Sequence, residues 1–211
     1  SSGVWRVSNT SEASVLPTYY SGPASVANAS SSNNPIVVNL TATTFLVIYS
    51  RTTASIYGIV GTVSGNTITW GADTLIQTVT HTAVSKSATL LTSGLVLLTY
   101  AGATGYLNAI AVDIIAGTPS PNTNAVLDPV TTAVGTGVCK LSSTVGAVIY
   151  TSTTGYPVAA TLTVAGANPT KTVTLGTPTA ALGSAAVQAG VAIAPVSSSA
   201  VLCVWYASGN I

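Results

Sequence analysis

Charge is what this chain has least of. Asp, Glu, Lys and Arg make up 4% of its 211 residues, against about a quarter in ordinary globular domains. The acids are Glu12, Asp73, Asp113 and Asp128; the bases are Arg6, Arg51, Lys86, Lys140 and Lys171; His81 is the single histidine. A net charge of +1, unclustered, lacks the electrostatic footprint that nucleic acid or anionic lipid requires, so neither is expected as a partner. Catalysis is starved in the same way. Four acids scattered along the chain do not suggest a glycosidase pair, no serine sits in a Gly-x-Ser-x-Gly turn, and one histidine with two distant cysteines makes no metal site. No enzyme activity, cofactor or metal is expected. Methionine is absent, so Ser1 is not an initiator, and either a removed leader or an excised segment is expected. Long apolar runs are missing too: Val201 to Ala207 is far too short to span a bilayer, and no membrane insertion is expected.

Cysteine is limited to Cys139 and Cys203. They permit at most one intrachain bridge. Their places, in the first strand of one unit and the second strand of the next, leave a disulfide and two buried thiols equally open.

What the chain does have is a recurrence. FLVIY ends at Tyr49, LLTY at Tyr100, AVIY at Tyr150 and CVWY at Tyr206. The spacing of about fifty residues is the size of one four-stranded propeller blade. The span from Tyr206 through the C-terminus and on from Ser1 to Tyr49 is similar. The expected fold is therefore all-β: one domain, residues 1–211, forming a four-repeat β-propeller. Its units are 36–85, 86–134, 135–188, and 189–211 joined with 1–35, so that N- and C-terminal strands close the ring. A two-sheet β-sandwich is the alternative. FLVIY is apolar without alternation, as a strand buried on both faces should be. VSGNTITWG reads as a hairpin turning at Ser64-Gly65-Asn66. In the second unit Pro119 and Pro121 predict a loop, TPSPNTN, in place of that hairpin, and in the third a loop falls at Ala167-Asn168-Pro169. Helix content should be near nil, the Ala-rich stretch 180–193 being the one place where a short helix would fit.

Tyr57, Tyr106 and Tyr156 each follow the turn after an anchor tyrosine. At one rim they would offer aromatic faces and phenols to glycans, although packing against the next blade explains them as well. The anchor tyrosines Tyr49, Tyr100, Tyr150 and Tyr206 read as structural. Trp205 lies in an apolar run and reads as core, whereas Trp5 and Trp70 fall in outer segments and suit assembly contacts. Asn9, Asn28 and Asn39 begin Asn-x-Ser/Thr sequons, which would make the chain a glycoprotein.

The repeated pattern of an apolar strand ending in Tyr, a Gly/Ser/Thr turn, a second strand and VSGNTITWG resembles low-charge β-propeller repeats of phage tail-fibre and secreted bacterial surface proteins. The second unit departs at IIAGTPSPN and the third at VAGANPTKT. The resemblance implies a non-catalytic, adhesive or structural role outside the cell or on a virion. With so little charge repulsion, self-association into a polymer or particle is expected. A structural subunit of a fibril, appendage or fibre is thus the leading reading, and a lectin-like glycan-binding adhesion module the alternative.

Overall fold

The computed structural model describes residues 32–51, 55–79, 85–102, 105–128, 135–152, 154–183 and 187–207. Among them there is no helix; the chain is all-β, in four antiparallel sheets, none closed into a barrel. Each sheet comes from one continuous segment. The first contains β1 (Ser32–Asn39), β2 (Thr44–Arg51), β3 (Ser55–Ser64), β4 (Thr67–Trp70) and β5 (Thr74–Thr78). The second contains β6 (Lys86–Thr92), β7 (Leu95–Ala101), β8 (Leu107–Ile115), β9 (Thr118–Pro121) and β10 (Ala125–Asp128). The third has β11 (Thr136–Lys140), β12 (Val145–Thr151), β13 (Pro157–Ala165) and β14 (Thr172–Leu175), and the fourth β15 (Val187–Pro195) and β16 (Val201–Ala207).

The order within a sheet follows from strand length. In the first two sheets the third strand is long enough to pair with two short outer strands, β4 then β5 on β3, and β9 then β10 on β8. The outer strand is broken at residues 71–73 and 122–124. In the third sheet β14 takes the first of these places. Thr179 N–H and Leu182 N–H then continue along β13 by bonding the Ala159 and Pro157 carbonyls.

Both faces of the second strands of the first three sheets are apolar because both are covered. Every residue of β7 is buried. Val96, Leu98 and Tyr100 face the first sheet, meeting Leu46, Ile48, Ile56 and Val60. Leu95 and Leu97 face the third sheet, with Val138, Val148, Tyr150 and Val158. The fourth sheet lies on the third: a Cβ on Gly137 would meet Ile193, and one on Gly135 would meet Val191. Hydroxyls clip the seam between the second and third sheets, with Ser85 and Ser87 Oγ accepting from the backbone N–H of Thr136 and Val138 at 3.2 and 3.0 Å. Face-to-face packing of antiparallel sheets is common to the propeller and sandwich expectations.

Two expectations need correction. The fourth anchor tyrosine is not buried. Tyr49, Tyr100 and Tyr150 are 2%, 1% and 0% exposed, but Tyr206 is 63% exposed, with Leu202 and Val204 beside it. β16 turns its Val201, Cys203 and Trp205 positions inward instead, and period-two alternation then puts Tyr206 outside. The prolines at 119 and 121 do not open a loop. They lie in β9, an outer strand where a missing N–H costs no ladder bond, and the turn comes earlier, at Ala116-Gly117. The near absence of helix was expected, and in the Ala-rich stretch residues 187–193 belong to strand β15.

The turn at Ala116-Gly117 carries strain that the Gly65-Asn66 turn avoids. Ala116 has φ 48° and Gly117 φ 75°, the left-handed pair that a type I′ hairpin requires. A Cβ in that region costs about 1–2 kcal/mol, partly offset in glycine by unfolded-chain entropy. Ala116→Gly is expected to stabilise the protein by about 0.5 kcal/mol, read as a raised urea midpoint at unchanged m-value. An unchanged or lowered midpoint would contradict this account of the turn.

Candidate functional site

The outer face of the first sheet concentrates the aromatic side chains. β2 and β3 pair Tyr49 with Tyr57 and Phe45 with Gly61, and their alternation places Phe45, Val47, Tyr49, Tyr57 and Ile59 on one side. The Tyr49 and Tyr57 rings stack with centroids 6.2 Å apart, the Arg51 guanidinium lies 5.2 Å above the Tyr57 ring, and Phe45 meets Trp70 edge-on at 5.5 Å. Gly61 leaves room for the Phe45 ring: a Cβ there would fall 2.5 Å from it, and the ring would have to shift. Asp73, in the break of the outer strand, accepts from Tyr49 Oη at 2.6 Å and from Arg51 Nη1 at 3.0 Å. The Trp70 indole N–H is buried with no partner among the described residues.

The carboxylates explain where the scarce charges went. Asp73 holds Tyr49. Asp128, at the end of β10, accepts from Tyr150 Oη in the next sheet at 2.8 Å. Tyr100 Oη donates to Asn124 Oδ1 at 2.7 Å. Burial, reinforced at Tyr49 and Tyr150 by the carboxylate beside the hydroxyl, pushes all three phenols well above their ordinary range. Asp113 is bound by Lys171, Asn122 and Asn168. Burial alone would raise its pKa, but hydrogen bonds from these three and the Lys171 charge outweigh that and hold the carboxyl below its usual value. Burial lowers Lys86 to about 8, and its Nζ donates to Ser50 Oγ at 2.8 Å. None of these partners was expected. One signal was available: Asp73 and Asn124 each lie 24 residues past their tyrosine.

The tyrosines expected at one rim are not equivalent. Tyr106 and Tyr156 share a turn, in which the Gly102 and Ser152 N–H groups bond the Tyr106 and Tyr156 carbonyls at 2.8 Å and Gly105 and Gly155 take φ of 79° and 83°. That positive φ is why both turns carry Thr-Gly-Tyr. Tyr57 lies two positions later, inside β3: the residues matching it across from Tyr100 and Tyr150 are Asn108 and Val158. Of the expected assembly contacts, Trp70 closes β4, while Trp5 lies outside the described residues. Asn39 is exposed at the end of β1; Asn9, Asn28 and His81 lie outside the described residues.

Cys139 in β11 and Cys203 in β16 face the same seam, and both are free thiols, so the bridge that the sequence left open is not made. Burial pushes both pKa values up, which favours the unreactive thiol over the thiolate. Alongside lies a cleft of about 240 Å³ between β13 and β16, lined by Ala147, Ala159, Thr161, Thr179 and Val201. In comparison with known proteins, no family model matches this chain and no curated protein matches it in sequence.

Proposed function

We propose that the protein is a non-catalytic structural subunit of an extracellular or virion-surface assembly, a fibril, appendage or fibre, and that its sheets are blades of one four-unit propeller. The observation that carries this reading is the use of the acids. Asp73, Asp113 and Asp128 each hold a tyrosine or a lysine in place, which leaves the described residues without a carboxylate committed to a substrate. An exterior of Ser, Thr and Asn with almost no charge supports association with further copies. The aromatic face around Tyr57 and Trp70 is the candidate contact, since large aromatics anchor interfaces.

Size-exclusion chromatography with light scattering, and negative-stain micrographs, test this reading. The wild-type chain is expected as oligomers or filaments. Trp70→Ala is expected to shift it toward monomer, by tenfold or more in dissociation constant if Trp70 contributes about 2 kcal/mol. A wild-type protein that stays monomeric at high concentration would end the proposal.

A glycan-binding adhesion module is the second reading, supported by the shared turn that presents Tyr106 and Tyr156. Tyr57 is removed from that set, its ring already engaged by Tyr49 and Arg51. Unchanged glycan-array binding in the Tyr106→Ala, Tyr156→Ala double variant would dismiss the site.

A further inference from the structure

The cluster around Asp113 holds more chemistry than a salt bridge needs. Asp113 projects from β8, Asn122 follows β9, and Asn168 and Lys171 belong to the connection from β13 to β14 in the neighbouring sheet. Lys171 Nζ lies 2.5 Å from Asp113 Oδ1, and Asn122 Nδ2 lies 2.7 Å from Asp113 Oδ2. One carboxylate thus touches both a primary amine and the nitrogen of a carboxamide. The carbonyl oxygen of Asn122 accepts the backbone N–H of Lys171 at 3.1 Å, and Asn122 Nδ2 also donates to the Ala111 carbonyl at 2.9 Å. Asn122 is 7% exposed and the Asp113 side chain 12% exposed. The cluster therefore contains an amine nucleophile, a base on that amine, an amide electrophile, a donor on the oxygen that becomes negative, and a proton carrier at the leaving nitrogen.

We propose that Lys171 and Asn122 form an intramolecular amide cross-link, with Asp113 as the catalytic residue. In the small fraction of molecules in which the proton shared between Lys171 Nζ and Asp113 Oδ1 sits on the carboxylate, the freed Nζ lone pair adds to Cγ of Asn122. Negative charge gathers on Asn122 Oδ1, where the Lys171 backbone N–H receives it. The Cγ–Nδ2 bond breaks as Nδ2 takes the proton shed by the attacking nitrogen and departs as ammonia. The proton on Asp113 follows it, giving ammonium and restoring the carboxylate. An ammonium and a carboxamide become a secondary amide and an ammonium ion, without oxidant, metal or cofactor. Asn168 is the weaker electrophile. Its nitrogen reaches Asp113 at 2.9 Å, but its other contact is from that same nitrogen to Ser120 Oγ at 3.1 Å, and no described donor holds its carbonyl.

The bond would tie the second sheet to the third through side chains, and mass spectrometry of the denatured chain reads it directly. Wild-type protein is expected about 17 Da below the polypeptide mass, one ammonia per chain. Trypsin has sites only at Arg6, Arg51, Lys86, Lys140 and Lys171. Cross-linked protein should therefore resist cleavage after Lys171 and release residues 87–140 joined to residues 141–211. Lys171→Arg keeps a cation beside Asp113 but removes the amine, and Asn122→Ala removes the electrophile; both are expected at full mass. Asp113→Asn should lose the cross-link or form it at least a hundredfold more slowly. Folded wild-type protein at full mass after prolonged incubation, giving separate peptides 141–171 and 172–211, overturns the proposal. So does a mass loss that persists in Lys171→Arg.

Discussion

Leu98→Ala is expected to destabilise the protein by about 3–4 kcal/mol, and the Leu97→Ala, Leu98→Ala double variant by about twice that. The reason is the position of β7. Both leucines are fully buried, yet they face opposite ways, Leu98 into the seam with the first sheet and Leu97 into the seam with the third. Side chains serving separate seams share few partners, so their costs should nearly add. A total of about 6–8 kcal/mol rivals the whole stability of an ordinary domain, and the double variant should be largely unfolded in buffer. Leu202→Ala is the control. That side chain is 58% exposed, and its loss should cost less than about 0.5 kcal/mol. Urea denaturation followed by tryptophan fluorescence measures all three. Equal effects at Leu98 and Leu202 would mean that the seams do not hold the fold together.

Alkaline pH should unfold the protein steeply, and the anchor tyrosines are the cause. Tyr49, Tyr100 and Tyr150 have folded-state pKa values raised above the unfolded value, chiefly by burial. A group of this kind contributes stability that is complete below its unfolded pKa, about 10 for tyrosine, and is lost as pH rises toward the folded pKa. Above about pH 10 the unfolded chain sheds phenolic protons that the folded chain retains. Each such tyrosine then subtracts up to about 1.4 kcal/mol per pH unit, and three together up to about 4 kcal/mol per unit. Ultraviolet titration should show the phenols of Tyr49, Tyr100 and Tyr150 ionising only as the β-sheet circular dichroism collapses. Tyr100→Phe removes the hydrogen bond to Asn124, worth about 1 kcal/mol, but should also shallow the alkaline limb by about one third. Titration of all nine phenols with the sheets intact would refute the burial argument.

Much of the strand pattern was legible because it depends on local composition. FLVIY, GLVLLTY and GAVIY announce doubly covered strands, and Gly65-Asn66 announces its own turn. What stayed hidden depends on distance or on strain. Ala116 adopts a conformation that its side chain disfavours, so no turn was visible there, and the prolines after it looked like a loop. Asp113 and Lys171 are 58 residues apart and meet only because two sheets stack, so along the chain they read as scattered charge. The outward turn of Tyr206 depends on which face of β16 meets the third sheet, and that choice is not written in CVWY. The aromatic candidates fared unevenly for the same reason. Thr-Gly-Tyr marks equivalent turns at Tyr106 and Tyr156, whereas the spacing of Tyr57 alone did not reveal its shift of two positions.

Among the described residues the seams join successive sheets of the chain, the first to the second, the second to the third and the third to the fourth. A molecule organised in this way can tolerate changes in its number of units. Duplicating or deleting about fifty residues would create or remove one whole layer and make new contacts only at the two surfaces where the edit was made, although in the proposed ring every blade would also change its angle to its neighbours. Such a lineage is expected to vary in length by whole layers, and to keep its rare ionic residues where one layer must grip the next.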